Sequence, residues 1–192
     1  MSIAALLLFI RALGLTLPLW IVAGWSAAET AIFFLVADIP ISWIAVRSGV
    51  KAGLLASLVA AFASIVGVVA VWIWASRDPA GAAAMMAALP GIDWPLETRA
   101  ASIFHEGPMA MLLASISGVP FKLFALEAAK SSPLPLMLLA PLLRLPRFAA
   151  VALFSGGVSA ILSRWMDIKA RLLTLMILWV IFYAFYWSAM AA

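Results

Sequence analysis

Long apolar stretches separated by short polar breaks run the length of the chain, and their spacing predicts helices suited to a membrane. Residues 3–25 form the first stretch, interrupted by Arg11 and Pro18, which predicts an interfacial helix leading into a membrane one. Residues 28–49 are apolar enough to enter a bilayer yet hold Glu29, Asp38 and Pro40, and a straight lipid-facing helix would shield neither carboxylate. Residues 52–76 are the cleanest span, bounded by Lys51 and by Arg77 with Asp78. Along it Gly53, Ser57, Ala60, Ser64 and Gly67 recur at helical spacing. Such a stripe either admits a second helix at close range or reflects an alanine-rich sequence. Trp72 and Trp74 fit an aromatic belt at the far end.

Residues 77–97 hold Pro79, Gly81, Pro90, Gly91, Asp93, Trp94 and Pro95, the pattern of a loop with an amphipathic piece at AAAMMAAL. A helix is expected from about Leu96 to Ser117, kinked at Gly107 and Pro108. Residues 118–132 combine charge with a proline break. A span over about 133–162, a polar turn at 163–171 and a transmembrane helix over 172–190 complete the pattern.

Composition agrees: 67% of residues are hydrophobic, 10% are charged and mean hydropathy is +1.19, against about 25% charged in soluble domains. We therefore expect an all-α integral membrane protein forming one membrane domain over residues 1–192, with four or five membrane segments. The net charge of +4 comes from scattered Lys and Arg without a basic run, which excludes nucleic acid as the natural partner. No cysteine occurs and His105 is the one histidine, so thiol chemistry and Cys- or His-based metal sites are excluded. The N-terminal run lacks a preceding positive region and a small-residue cleavage site, and reads as a retained segment. Arg47 with Lys51 and Arg164 with Lys169 and Arg171 mark two basic loops. Three full spans between them would set these loops on opposite faces. Either one segment is re-entrant or the positive-inside rule is broken.

Glu29 and Asp38 are nine positions apart, about half a turn out of phase on a continuous helix, so they share a site only if the chain doubles back. They read either as a protonatable, ion-coupling pair lining a wet cavity, or with Glu29 at the interface capping a helix. Arg144 and Arg147 project to one side of a helix, and with Lys122 they suit a lipid phosphate. The alternative is a structural network in which the three cations pair with Glu29, Asp38 and Glu127, and the two readings are compatible. Glu127, a secondary candidate, is five residues after Lys122, so a direct pair needs a broken helix. Lys130, Ser131 and Ser132 suit an exit toward water, and His105 with Glu106 suits either a helix end or a pH sensor. No metal spacing, phosphate-cradling glycine loop, nucleophile elbow or nucleotide motif occurs, so neither a cofactor nor an enzymatic activity is expected.

These segments resemble the DedA superfamily of membrane proteins, the VTT or SNARE-associated domain, and within it the small YqaA-like branch. Glu29 and Asp38 match its first motif, with 52–76 as the small-residue span that follows. Gly118, Pro120, Phe121, Lys122 and Phe124 match the second, and Arg144, Arg147 and Phe148 an R-x-x-R-F pattern. The resemblance covers about residues 25–162. It departs at Phe34 and Val36, where prolines are usual, at Ala129 for a glycine and at Glu127 for a small residue. The resemblance implies a helical bundle with two re-entrant helical hairpins, here 28–49 and 118–132, in a bacterial inner membrane. It further implies translocation of a phosphate-bearing lipid, a polyprenyl phosphate or phospholipid, bound at Lys122, Arg144 and Arg147 and coupled to ions through Glu29 and Asp38. The missing prolines and Glu127 leave a second reading, an accessory subunit of a larger membrane complex. Homo-oligomer and hetero-complex both stay open. An intramembrane enzyme acting on lipid phosphates ranks last, since His105 is poorly placed to be a nucleophile.

Overall fold

The computed structural model describes residue 11 and residues 14–92 and 94–190; residues 3–10, 12 and 13 of the first apolar stretch and Asp93 lie outside the described residues. The described chain folds into helices α1 (Thr16–Ala31), α2 (Asp38–Ser48), α3 (Val50–Arg77), α4 (Pro79–Ala87), α5 (Trp94–Glu106), α6 (Pro108–Ser117), α7 (Phe121–Ala129), α8 (Leu134–Leu162) and α9 (Ile168–Met190). It contains no strand among the described residues. Among the described residues three helices are long and apolar enough to cross a membrane: α3, α8 and the Ile168–Ser188 part of α9. The 28 residues of α3 extend about 42 Å, more than the ~30 Å hydrocarbon core. The protein is thus a membrane-embedded helical bundle.

The antiparallel pair α3 and α8 is its axis, and the small-residue stripe of α3 is its packing seam. A Cβ added at Gly53 would lie 2.6 Å from Ala45 Cβ, and one at Gly67 would lie 2.5 Å from Ala27 O and from Thr30 Cβ. Gly156 of α8 meets Val50 in the same way, with 2.7 Å to its Cγ2. Where backbones approach this closely, serines find partners on the neighbouring helix. Ser57 Oγ donates to Phe148 O at 3.0 Å and Ser26 Oγ to Ala60 O at 2.8 Å.

Two short helix pairs flank this axis. α1 runs along α3 until Thr30 reaches Gly67; the chain then breaks over Ile32–Ala37, and α2 returns until Ala45 reaches Gly53. The helix breaks without proline at Phe34 or Val36. Pro40 contributes to the break, since it has no N–H for Val36 O and its ring clashes with a helical carbonyl four residues earlier. The β-branched and aromatic run IFFLV also propagates a helix weakly. From the other end of the bundle, α6 ends at Gly118, whose φ of +100° is the left-handed conformation that glycine adopts without strain. Val119 N–H returns to Ala114 O at 3.0 Å, Pro120 is extended, and α7 starts at Phe121.

Two apolar cores result. One gathers Ile41, Ile44, Ala56 and Phe148 from α2, α3 and α8, and the other gathers Val71, Met86, Phe124 and Leu136 from α3, α4, α7 and α8. Ser64, Arg144 and Arg147 fall between the cores along α3 and α8, so a polar seam crosses the bundle at mid-height.

Several expectations need correction. The helix expected over 96–117 is two helices parted at Gly107, whose φ is +102°. The polar turn is shorter than 163–171, because α9 starts at Ile168. α1 extends past residue 25 and carries Glu29 in its last turn. Pro141 and Pro146 stay inside α8, with no N–H for the carbonyls of Met137 and Leu142. The two basic loops also lie at one end of the bundle, since Ser159 Oγ donates to Val46 O at 3.3 Å and Gly156 touches Val50. Among the described residues between those loops, α3 and α8 are the helices long and apolar enough to cross a membrane, and an even number of crossings accords with both loops lying at one end. That end carries Arg47, Lys51, Arg164, Lys169 and Arg171 against Asp167, whereas the other end mixes Arg77, Arg99 and Lys130 with Asp78, Glu97, Glu106 and Glu127.

This arrangement fixes an accessibility pattern. In sealed vesicles, Ser48→Cys and Ser163→Cys should react with an impermeant thiol reagent from one side and Ser76→Cys from the other. Labelling of positions 48 and 163 from opposite sides contradicts the antiparallel α3–α8 axis.

Candidate functional site

The two turns meet in the polar seam, about 15 Å along α8 from Leu134, and the charges of both motifs converge there. Arg144, buried on α8, donates to Glu29 Oε2 and to Thr30 Oγ1 in the last turn of α1. Its guanidinium carbon also lies 4.7 Å from the ring centroid of Phe148 and 5.3 Å from that of Phe121, so aromatic faces hold the cation from both motifs. Three residues on, Arg147 aims two nitrogens at a single oxygen of Asp38, with Nη2 at 2.6 Å and Nε at 3.0 Å from Oδ2. Its Nη1 donates to Ser115 O at 3.2 Å, reaching the second turn. Lys122, also buried, donates from Nζ to Phe33 O at 2.6 Å, which ties the second turn directly to the first.

These bonds explain how an unwound segment survives inside the bundle, where an unpaired backbone group costs several kcal/mol. Over Ile32–Ala37 the backbone is met by side chains. Lys122 takes Phe33 O, and Trp25 Nε1 donates to Leu35 O at 3.0 Å. Val36 N–H donates to Tyr183 Oη at 2.9 Å, and Ala37 N–H to Glu29 Oε2 at 3.4 Å.

The charge count is uneven. Lys122, Arg144 and Arg147 bring three positive charges and Glu29 and Asp38 two negative ones, and the Lys122 ammonium is satisfied by a carbonyl dipole instead of a carboxylate. Two polar atoms beside Arg147, Asp38 Oδ1 and Ser115 Oγ, are buried without a hydrogen-bond partner. A cavity of about 170 Å³ opens here, lined by Glu29, Ser115, Lys122, Arg144 and Arg147 with Tyr183. That is many times the roughly 10–15 Å³ that a single water needs. Val36, Arg147 and Phe182 line both this cavity and an apolar groove of about 590 Å³ between α2, α8 and α9.

The structure therefore brings together Glu29, Asp38, Lys122, Arg144 and Arg147. It does not bring Glu127 to them. α7 is unbroken from Phe121 to Ala129, so Lys122 in its first turn and Glu127 near its end face different surroundings. Glu127 lies instead at the far end, with Lys130 Nζ at 2.5 Å and exposed His105 Nε2 at 3.3 Å. Thr30, Ser115, Tyr183 and the Phe33 carbonyl join the site without having been singled out in the sequence. Thr30 adjoins Glu29, a usable signal, but nothing marks Ser115 or Tyr183 among other serines and aromatics of apolar helices. No group of three or more potential metal ligands occurs among the described residues.

No family model matches the chain, and neither a curated protein nor a solved structure matches it.

Removing one partner of a buried ion pair strands the other, at about 3–5 kcal/mol. We therefore expect Glu29→Gln and Arg144→Gln each to lower unfolding stability by about that much, and the double variant to lose well under their sum. Additive losses in equilibrium unfolding of the purified protein would mean that the pair is not formed.

Proposed function

We propose that the protein moves a phosphate-bearing lipid between the leaflets of a membrane, with the headgroup entering the cavity where the two turns meet. The carrying observation is the surplus positive charge at mid-height: buried Lys122 and Arg144 and partly exposed Arg147 face two carboxylates beside a cavity lined by Ser115, whose hydroxyl has no hydrogen-bond partner. A buried positive excess is costly at that depth, and a bound phosphate removes the cost. Arginine forks and the Ser115 hydroxyl suit its oxygens.

On this reading the re-entrant hairpins are the helix pairs α1–α2 and α6–α7, each entering from its own face and returning to it; they reach further back than the 28–49 and 118–132 expected from the sequence, because each includes the helix before its turn. Their 9 to 16 residues per helix are too few for a full crossing, which supports it. The resemblance to the DedA superfamily points the same way. The surplus of Arg and Lys at the α2–α3 and α8–α9 loops orients that end toward the cytoplasm, in keeping with a bacterial inner membrane.

Glu29 and Asp38 supply the release step. A phosphate that takes hydrogen bonds from Arg144 and Arg147 competes with Glu29 and Asp38 for those cations. Protonation of either carboxylate restores the positive field and loss of that proton removes it, so headgroup and proton bind together and leave together. A second reading, an accessory subunit of a larger complex, draws on α9, of whose membrane-spanning window only 6% is buried.

In liposomes the wild-type protein should exchange phosphate-bearing lipid between leaflets with a pH-dependent rate. Glu29→Gln and Asp38→Asn, checked for folding, should keep lipid binding and lose the pH dependence, and Arg147→Lys should bind the lipid about tenfold more weakly by losing its fork. Exchange at the wild-type rate and with wild-type pH dependence in both carboxylate variants overturns the proposal.

A further inference from the structure

The apolar groove has a second end, away from the charged cavity. There Arg171, in the first turn of α9, reaches back to α8: its Nη1 donates to Ser159 O at 2.9 Å and to Ser159 Oγ at 2.7 Å, and its Nε to Asp167 O at 3.4 Å. None of these acceptors is a carboxylate, and no ion pair to Arg171 forms among the described residues. The nearest acidic side chain in sequence, Asp167, is occupied in starting α9, where its Oδ1 accepts the Ala170 N–H at 2.8 Å. Arg47, Lys51, Arg164 and Lys169 crowd the same end and likewise form no ion pair among the described residues.

The groove itself exists because α9 leans on α2 and stands off α8. Tyr183 and Trp179 make the contact, through Val36 N–H and Ser42 Oγ. Its walls are mainly apolar, Val46, Phe154, Val158, Leu175 and Leu178 broken by Ser155, with Asp38 and Arg147 at one end and Arg171 at the other. From Leu162 to Arg147 it follows α8 for about 22 Å, which exceeds one leaflet's half of the ~30 Å hydrocarbon core. A slot of that length and polarity, parallel to a membrane-crossing helix and opening at a guanidinium without a counterion, has the form of a site for one acyl chain below one anionic headgroup.

We propose that this groove seats a single anionic phospholipid from the leaflet at the basic end, its phosphate on Arg171 and one acyl chain along α8 toward Arg147. The phosphate supplies the countercharge that Asp167 does not. The surrounding Lys and Arg side chains favour an anionic headgroup over a zwitterionic one, whose ammonium they repel. The chain fills the space between α8 and α9, so that the lipid couples α9 to the rest of the bundle. The proposal stands without the transport reading, since it uses neither Lys122 nor the Glu29–Arg144 pair.

Native mass spectrometry of the full-length protein, delipidated and titrated with phosphatidylglycerol or phosphatidylcholine, tests this. One phosphatidylglycerol should bind more tightly than phosphatidylcholine. Arg171→Gln should weaken that binding about tenfold or more and narrow the preference, while Arg164→Gln, a change at an exposed neighbouring cation, should alter it little. Val158→Trp, which fills the groove and leaves Arg171 in place, should weaken both lipids together. It keeps the proposal testable should Arg171→Gln fail to fold. Wild-type phosphatidylglycerol binding in Val158→Trp overturns the proposal, as does equal displacement of the lipid by millimolar inorganic phosphate, which assigns a free-anion site. A dimer that excludes lipid and is abolished by Val158→Trp also overturns it, because a second copy is then the occupant.

Discussion

A helix that carries two arginines ten and thirteen residues from its start, inside a bundle built to lie in hydrocarbon, is stable only if both charges are met. α8 has this problem at Arg144 and Arg147, and the rest of the architecture follows from its solution. Glu29 and Asp38 must reach the same height on the same side, which a straight helix forbids by half a turn. The chain therefore unwinds between them. The unwound backbone then needs partners of its own, which Lys122, Trp25, Tyr183 and Glu29 provide. Ion pairs and turn thus require each other. Without the turn the carboxylates could not reach the arginines, and without the arginines two carboxylates would be buried unpaired.

The same constraint accounts for the second turn. Gly118 and Pro120 bring Lys122 to the Phe33 carbonyl and Ser115 to Arg147, so that two chain reversals arriving from opposite ends touch inside one polar seam between two apolar cores. Such a seam is where a bundle of this kind can change shape with least loss of packing. On the proposed function its hydrogen bonds are exchanged for those of an anion, whereas the Ala- and Gly-lined contacts of α3 with α2 and α8 have no such substitute.

Much of this was legible in the sequence. The axial helices were legible because α3 and α8 are long and apolar, and the breaks because charge and proline fall where lipid would not tolerate them. The site was half legible: residues that are costly in a membrane, Glu29, Asp38, Lys122, Arg144 and Arg147, announce themselves by their cost. Ser115 and Tyr183 do not, since a serine or tyrosine is ordinary in such helices and acquires its role only from what packs beside it. Glu127 shows the converse error. It is as conspicuous as Glu29 by composition, but its place near the end of an unbroken α7 turns it to Lys130 and the far surface. The side on which each basic loop lies was likewise illegible, because it depends on how many segments cross fully, and 96–117 reads as one helix until Gly107 divides it.

The central claim is that a surplus positive charge at the meeting of the two turns holds a lipid phosphate at mid-height in the bilayer. Phosphorus-to-nitrogen dipolar recoupling in lipid bilayers, with the lysine side chains labelled and the Lys122 signal identified by its loss in Lys122→Met, measures this directly. The account requires that Lys122 Nζ be dephased by lipid phosphorus at contact distance, although the residue is buried. If phosphorus dephases only the exposed lysines at the bundle ends and leaves Lys122 untouched, no lipid phosphate reaches the seam and the account is wrong.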